Sequence, residues 1–143
     1  MPNLHSDTIY LMNEPSIFTR IINGEIPAYK IYEDDKVIAI LDIHPIYEGH
    51  TLVIPKNQID HIWDLPAEDY EYLWQISKKI AARIREVINP PRVGVVVEGF
   101  GVPHCHVHLI PIYNSNDLKK TQEDKDTEPN YDALAKMAER LKM

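Results

Sequence analysis

The segment Pro103-His104-Cys105-His106-Val107-His108-Leu109-Ile110-Pro111 sets three histidines at every second position. Such alternation, with aliphatic residues between polar ones, reads as a β-strand whose every second side chain shares a face. The three imidazoles then line one side, successive rings standing about 6.6 Å apart along the strand. Cys105, Val107 and Leu109 point the other way, into apolar packing. Neutral imidazole is a nucleophile near neutral pH, because its unperturbed pKa of about 6.5 leaves much of it unprotonated. A neighbouring imidazolium can neutralise a reacting phosphate and protonate a leaving group. Adjacent cationic rings repel, so the row favours one charged and one neutral member, the division of labour that two-step phosphoryl or acyl transfer needs. Two other readings stay open. His-x-His on a strand can hold one metal ion, with His50, His44 or Asp42 completing the set. The row can also be a structural feature of a half-exposed strand.

The rest of the chain must hold that strand. Residues 1–15 show no clear period and read as an N-terminal arm. Ser16 is placed to cap a short helix through Ile17, Phe18, Arg20, Ile21 and Ile22, which Asn23-Gly24 ends. Ile26-Pro27 returns the chain to extended structure. Residues 29–33 and 37–41 form a hairpin about Asp34-Asp35. A loop over 42–49, punctuated by Pro45 and Gly49, feeds a strand over 50–55, with Asp42 and His50 at the loop's two ends. The longest helix is expected over 66–88, with Leu73, Ser77, Ile80, Ala81, Ile84, Val87 and Ile88 at helical spacing and Asn89-Pro90-Pro91 as its stop. Trp63 and Trp74 are expected to pack. Residues 93–98 read as a buried strand, and Gly99-Phe100-Gly101 turns the chain into the histidines, its glycines letting backbone N–H groups approach a ligand. Residues 114–130 read as an exposed charged linker. A last helix carrying Leu134, Met137, Ala138 and Leu141 docks on the domain or on a second subunit. The expected fold is α+β: about five antiparallel strands with one long helix and short flanking helices, over 16–113, followed by linker and helix over 114–143.

A chain of 143 residues has room for one domain with a proper core. No run approaches a membrane span, and the first seven residues lack a basic region followed by an apolar one, so a membrane or secreted protein is not expected. Cys105, the single cysteine, cannot form an intramolecular disulfide and reads as a buried thiol, which fits a reducing cytoplasm. A formal charge of -7 disfavours a nucleic-acid or anionic-membrane surface, since phosphate-backbone binding needs clustered Lys and Arg. A small phosphorylated ligand in a local pocket remains compatible with it.

His104-Cys105-His106-Val107-His108-Leu109-Ile110 resembles the His-φ-His-φ-His-φ-φ signature of the histidine-triad (HIT) superfamily, φ being hydrophobic. Three upstream stretches follow the family's order: residues 16–28, Leu41-Asp42-Ile43-His44-Pro45, and Gly49-His50-Thr51-Leu52-Val53-Ile54-Pro55-Lys56. The likeness spans residues 16 to about 112 and is closer to the Hint-like branch than to the uridylyltransferase branch. It implies a nucleotide hydrolase or transferase that frees a purine nucleoside 5′-monophosphate from an amine or phosphate leaving group through a nucleotidyl-histidine intermediate. By position, His106 would be the nucleophile, and His108 would contact the phosphate and help the leaving group depart. His104 and His50 would hold the rings in their tautomers. Phe18, Ile21, Ile26 and Ile43 match the family's base pocket, Asp42 its ribose-binding carboxylate, and Gly99 and Gly101 join the nucleotide-binding set. The resemblance also implies a homodimer joined into one continuous sheet, with no redox cofactor or prosthetic group. A divalent ion could accompany a polyphosphate substrate without being held by the protein.

The chain departs from the family in two places. Many Hint-like proteins carry Cys-x-x-Cys where Ser16 and Thr19 stand, and those cysteines join histidines around a structural zinc. Ser and Thr are poor zinc ligands, so no structural zinc is expected. The glycine-rich segment before the triad is short, with Phe100 near the position of a family Gln, which leaves leaving-group preference open. Glu98 beside a phosphate would be unfavourable unless it points away. The expectation is a cytoplasmic enzyme acting on a small nucleotide. Its rivals are a mononuclear metal enzyme using the histidine row, and a nucleotide sensor or interaction protein with little turnover.

Overall fold

Ser16 Oγ accepts the Thr19 N–H at 3.0 Å and so starts helix α1, Ile17–Ile22, in a computed structural model that describes residues 14–120 and 127–143. Most of the expected arm and the middle of the expected linker lie outside the described residues. Strands β1, Lys30–Glu33, and β2, Val37–Leu41, form the hairpin. Asp34 Oδ1 closes it by accepting the N–H groups of Lys36 and Val37, each at 2.8 Å. Asp34 Oδ2 accepts the hydroxyls of Tyr32 and Tyr72, the second from the long helix, so one carboxylate ties hairpin to helix. Strands β3, Thr51–Pro55, β4, Arg92–Val96, and β5, Val107–Ile112, complete an antiparallel sheet of order β1-β2-β3-β5-β4. This is the expected five-stranded α+β arrangement.

Helix α2, Ala67–Val87, covers one face of the sheet, burying Leu73, Ile76, Ser77, Ile80 and Ile84 against Ala39, Val53, Val107 and Leu109. Ile76 belongs to the stripe although the expected set omitted it, and Ala81 and Val87 sit at its half-buried margin. Helix α3, Tyr131–Leu141, adds Leu134, Met137 and Leu141 to the same core. The Met143 N–H donates to the Ile31 carbonyl at 3.0 Å, and Arg83 donates to the Arg140 carbonyl at 3.1 Å. The last helix therefore docks on its own domain. On the opposite face, Phe18 packs with Ile38, Ile40, Leu52 and Ile54, with Ile21, Ile22, Ala28 and Val102 at the margin. Leu52 stands opposite His108 in the β3–β5 register, so this face carries the histidines.

Four expectations need correction. The strand expected to be buried over 93–98 is the edge strand β4, with Arg92 and Val95 exposed and only Gly94 fully buried. Pairing begins at Val107, so His104 and His106 precede the strand. Their stretch is held instead by the Cys105 N–H, which donates to the Ile59 carbonyl at 2.7 Å. The alternation still holds, since Cys105, Val107 and Leu109 lie in the α2 core. Trp63 is 77% exposed, because Ile62 takes the buried position in the 3-10 turn Ile62–Asp64; Trp74 packs as expected. The start of the expected linker is an ordered turn, Asp117–Lys119. There the buried Asp117 accepts the N–H groups of Tyr113 and Asn114 and the hydroxyl of Tyr47. A buried charge needs such partners, and none of them can be read from a run of polar residues.

Candidate functional site

The three histidines and His50 meet where β5 begins beside the end of the 42–50 loop. The rings of His106 and His108 have centroids 4.9 Å apart, and those of His50 and His108 5.1 Å. Phe18 presses edge-on against His104 and His106, at 5.7 and 4.9 Å. His50, His104 and His106 are buried and His108 is half-buried.

Hydrogen bonds fix the tautomers. A carbonyl oxygen only accepts, so His106 Nδ1 must carry the proton it donates to the His104 carbonyl at 2.8 Å. The neutral ring then has its lone pair on Nε2, which no hydrogen bond among the described residues occupies. His50 Nδ1 accepts the Ile46 N–H at 3.2 Å, so its proton is on Nε2, where it reaches His108 Nδ1 at 2.9 Å. His108 as the acceptor then carries its own proton on Nε2 when neutral. His104 Nε2 donates to the Pro55 carbonyl at 2.7 Å. The result is a nucleophilic nitrogen on His106 beside an N–H donor on His108.

Burial disfavours the charged forms of His104, His106 and His50, pushing all three pKa values down, that of His50 to about 4. For His106 the bond to the His104 carbonyl and the charges of Asp42 and Glu98 oppose burial without outweighing it. Near pH 7 His106 is therefore neutral, as a nucleophile must be.

Asp42 accepts the His44 N–H at 2.9 Å on Oδ1 and directs Oδ2 to within 3.6 Å of His50 Nε2. Asp42, His50 and His108 offer donor atoms within 4.8 Å of one another, the one such group among the described residues that could hold a metal ion. His44 is turned away from it, its Nε2 lying 3.1 Å from the Thr127 carbonyl. Ser16, Thr19, Gln58 and His104 also come together, but two hydroxyls, an amide and one imidazole do not fit zinc, and both His104 ring nitrogens are already engaged.

Of the residues expected around a nucleotide, Phe18 and Ile21 share the apolar cluster beside the histidines. Ile26 is half-buried outside that cluster. Ile43 is exposed and lines, with Asp42, His50 and Met137, a separate cavity of about 140 Å³ against α3. Gly99 adopts φ +81°, with open space where a Cβ would stand, so glycine serves the turn itself; Gly101 is exposed. Sequence reasoning missed Gln58, the Pro55 carbonyl and the Ile46 amide, whose roles arise only when distant segments meet. It had Ser16 as a cap, without its second contact.

The HIT domain family matches residues 23–115. "Protein hit" of Bacillus subtilis is 38% identical over 109 residues, covering 73% of this chain and 75% of its own length. Among solved structures, a Zn-bound histidine triad family protein from Mycobacterium smegmatis superposes with a TM-score of 0.67 at 30% identity, over 87% of this chain and 92% of its own. A HIT family hydrolase from Legionella pneumophila gives 0.58 at 33% identity, over 66% and 89%. With the histidine motif, the sheet and the sequence likeness all in agreement, the chain belongs to the HIT domain family.

Proposed function

We propose that the protein is a Hint-like nucleotide hydrolase or transferase that releases a purine nucleoside 5′-monophosphate from an amine or phosphate leaving group. The observation that carries this reading is the His106 ring, held through Nδ1 with its Nε2 lone pair open beside His108. Nε2 attacks the α-phosphorus, its lone pair forming a P–N bond while the bond to the leaving group breaks. The leaving group departs with that electron pair and takes the Nε2 proton of His108, which enters the step as the imidazolium and is left neutral. Water then attacks the phosphorus and returns a proton to His108, and the P–N pair goes back to His106. Phe18 and Ile21 line the base side, Asp42 accepts the ribose hydroxyls, Ile26 and Ile43 are assigned to the nucleotide by resemblance alone, and Gly99 and Gly101 by the close approach their backbone N–H groups would allow. His50 and His104 hold the reacting rings. The reaction needs no cofactor, a polyphosphate substrate bringing any divalent ion with it.

The ligand on this reading is a small nucleotide, and neither nucleic acid nor membrane is a partner. The protein acts as a homodimer in the cytoplasm, where the Cys105 thiol, its pKa pushed up to about 12 by burial, stays unreactive. Among the described residues no helix is long and apolar enough to cross a membrane.

The Asp42, His50 and His108 group favours one other reading, a mononuclear metal enzyme. AMP release from adenosine 5′-phosphoramidate, measured with chelator present, separates the two. Wild type should turn over, and His106→Ala should lose at least about a thousandfold in kcat, as removal of a nucleophile does. Release only after zinc or manganese is added would favour the metal reading. AMP binding without turnover would favour a sensor.

A further inference from the structure

The buried contact between Ser16 and His104 joins helix α1 to the triad. Ser16 Oγ lies 2.7 Å from His104 Nδ1. Because His104 Nε2 donates to the Pro55 carbonyl, Nδ1 of the neutral ring is an acceptor, and the Ser16 hydroxyl must donate to it. Ser16 has one such proton. Its other neighbour, Thr19 Oγ1, is farther away at 3.3 Å, and the Thr19 hydroxyl is itself committed to Gln58 Oε1 at 2.6 Å. Gln58 Oε1 also accepts the Ser16 N–H at 2.9 Å, and Gln58 Nε2 donates to the Glu14 carbonyl at 2.8 Å. Gln58 thus grips both ends of the first turn of α1 and leaves the Ser16 proton to His104.

His104 is fully buried and held at both ring nitrogens, with its backbone N–H donating to the Val102 carbonyl at 2.9 Å. Its own carbonyl is the acceptor that fixes His106 Nδ1. We propose that Ser16, seated by Gln58 and Thr19, is a positioning residue that locks His104 in its Nε2–H tautomer and, through the His104 carbonyl, aims the His106 lone pair. The catalytic part of this inference rests on His106 being the nucleophile; the structural part does not.

Ser16 also caps α1, and the test must separate the two roles. Glycine is nearly as good a cap as serine and alanine is much worse, whereas both lack the hydroxyl. Ser16→Gly, Ser16→Ala and Ser16→Thr are compared by steady-state kinetics on adenosine 5′-phosphoramidate and by histidine ring 15N resonances. Positioning predicts that the Gly and Ala variants lose about ten- to a hundredfold in kcat with KM nearly unchanged, and that Ser16→Thr restores it. It also predicts that the His104 Nδ1 resonance moves toward that of a nitrogen without a hydrogen bond in both hydroxyl-free variants. A Ser16→Gly protein with wild-type kcat and unchanged ring resonances would overturn the proposal and leave Ser16 a helix cap. If wild type itself released no AMP, the hydrolase reading would fail, while the ring resonances would still decide for or against the lock on His104.

Discussion

A buried imidazole that must stay neutral links the site to the stability of the whole fold. Burial holds His50 at a pKa of about 4, below the roughly 6.5 of an unfolded histidine, so between those values the unfolded chain binds the extra proton. Stability therefore rises with pH across that window and is lost on acidification. The shift corresponds to about 3 kcal/mol for His50 at roughly 1.4 kcal/mol per pKa unit, and His104 and His106 act in the same direction. Asp34, held at about 2 by the Tyr32 and Tyr72 hydroxyls and two backbone N–H groups despite its burial, has its effect at lower pH. Urea unfolding of wild type from pH 7 to pH 4.5 should show a steady fall, and His50→Gln should flatten that slope by about one proton. An unchanged slope would mean that His50 is readily protonated in the folded protein. The identity of these histidines and the face they share were legible from alternation. Their tautomers were not, because the deciding partners, Ser16, Ile46 and the Pro55 carbonyl, are set by the meeting of separate segments.

The elements that present the rings depend on backbone geometry as much as on side chains. Gly49, just before His50, adopts φ +98°, and a Cβ there would stand 2.3 Å from Ile88 Cδ1 and 3.3 Å from Pro111 Cγ. Gly49→Ala should cost about 1–2 kcal/mol from the left-handed conformation, with the displacement of Ile88 added to it. The His50 N–H donates to the Tyr47 carbonyl and the His50 carbonyl accepts from Asp42, so strain at residue 49 reaches the site as well. Denaturation of Gly49→Ala should show a lower midpoint with an unchanged m-value, and kcat should fall with it; a variant as stable and active as wild type would show that the loop relaxes freely. At this scale the long helix was read closely from its apolar spacing and its proline stop, since both signals are local. The start of β5 was not, because polar and apolar alternation marks which face a residue takes and says nothing of where pairing begins.

At the scale of the molecule, the two edges of the sheet differ. On β1, Lys30 and Glu33 are exposed and paired with each other, and the C-terminal segment bonds to the Ile31 carbonyl. Charge and cover are the usual protections of an edge strand. On β4, the run after Arg92 is Val93-Gly94-Val95-Val96, without charge or proline, and Val95 is 47% exposed with Val97 beside it at 37%. An uncharged edge with outward valines is a template for pairing, and two copies meeting β4 to β4 about a twofold axis would form one continuous sheet with a self-complementary contact. That is the route by which the proposed homodimer would assemble. Sedimentation equilibrium should find wild type dimeric. Val95→Lys should weaken association about a hundredfold or more, because an unpaired ammonium group would be buried at the seam. Each copy carries a formal charge of -7, so added salt should tighten the wild-type dimer by screening their repulsion. A monomeric wild type would sink the dimer itself, and a Val95→Lys protein that dimerised normally would move the contact away from β4.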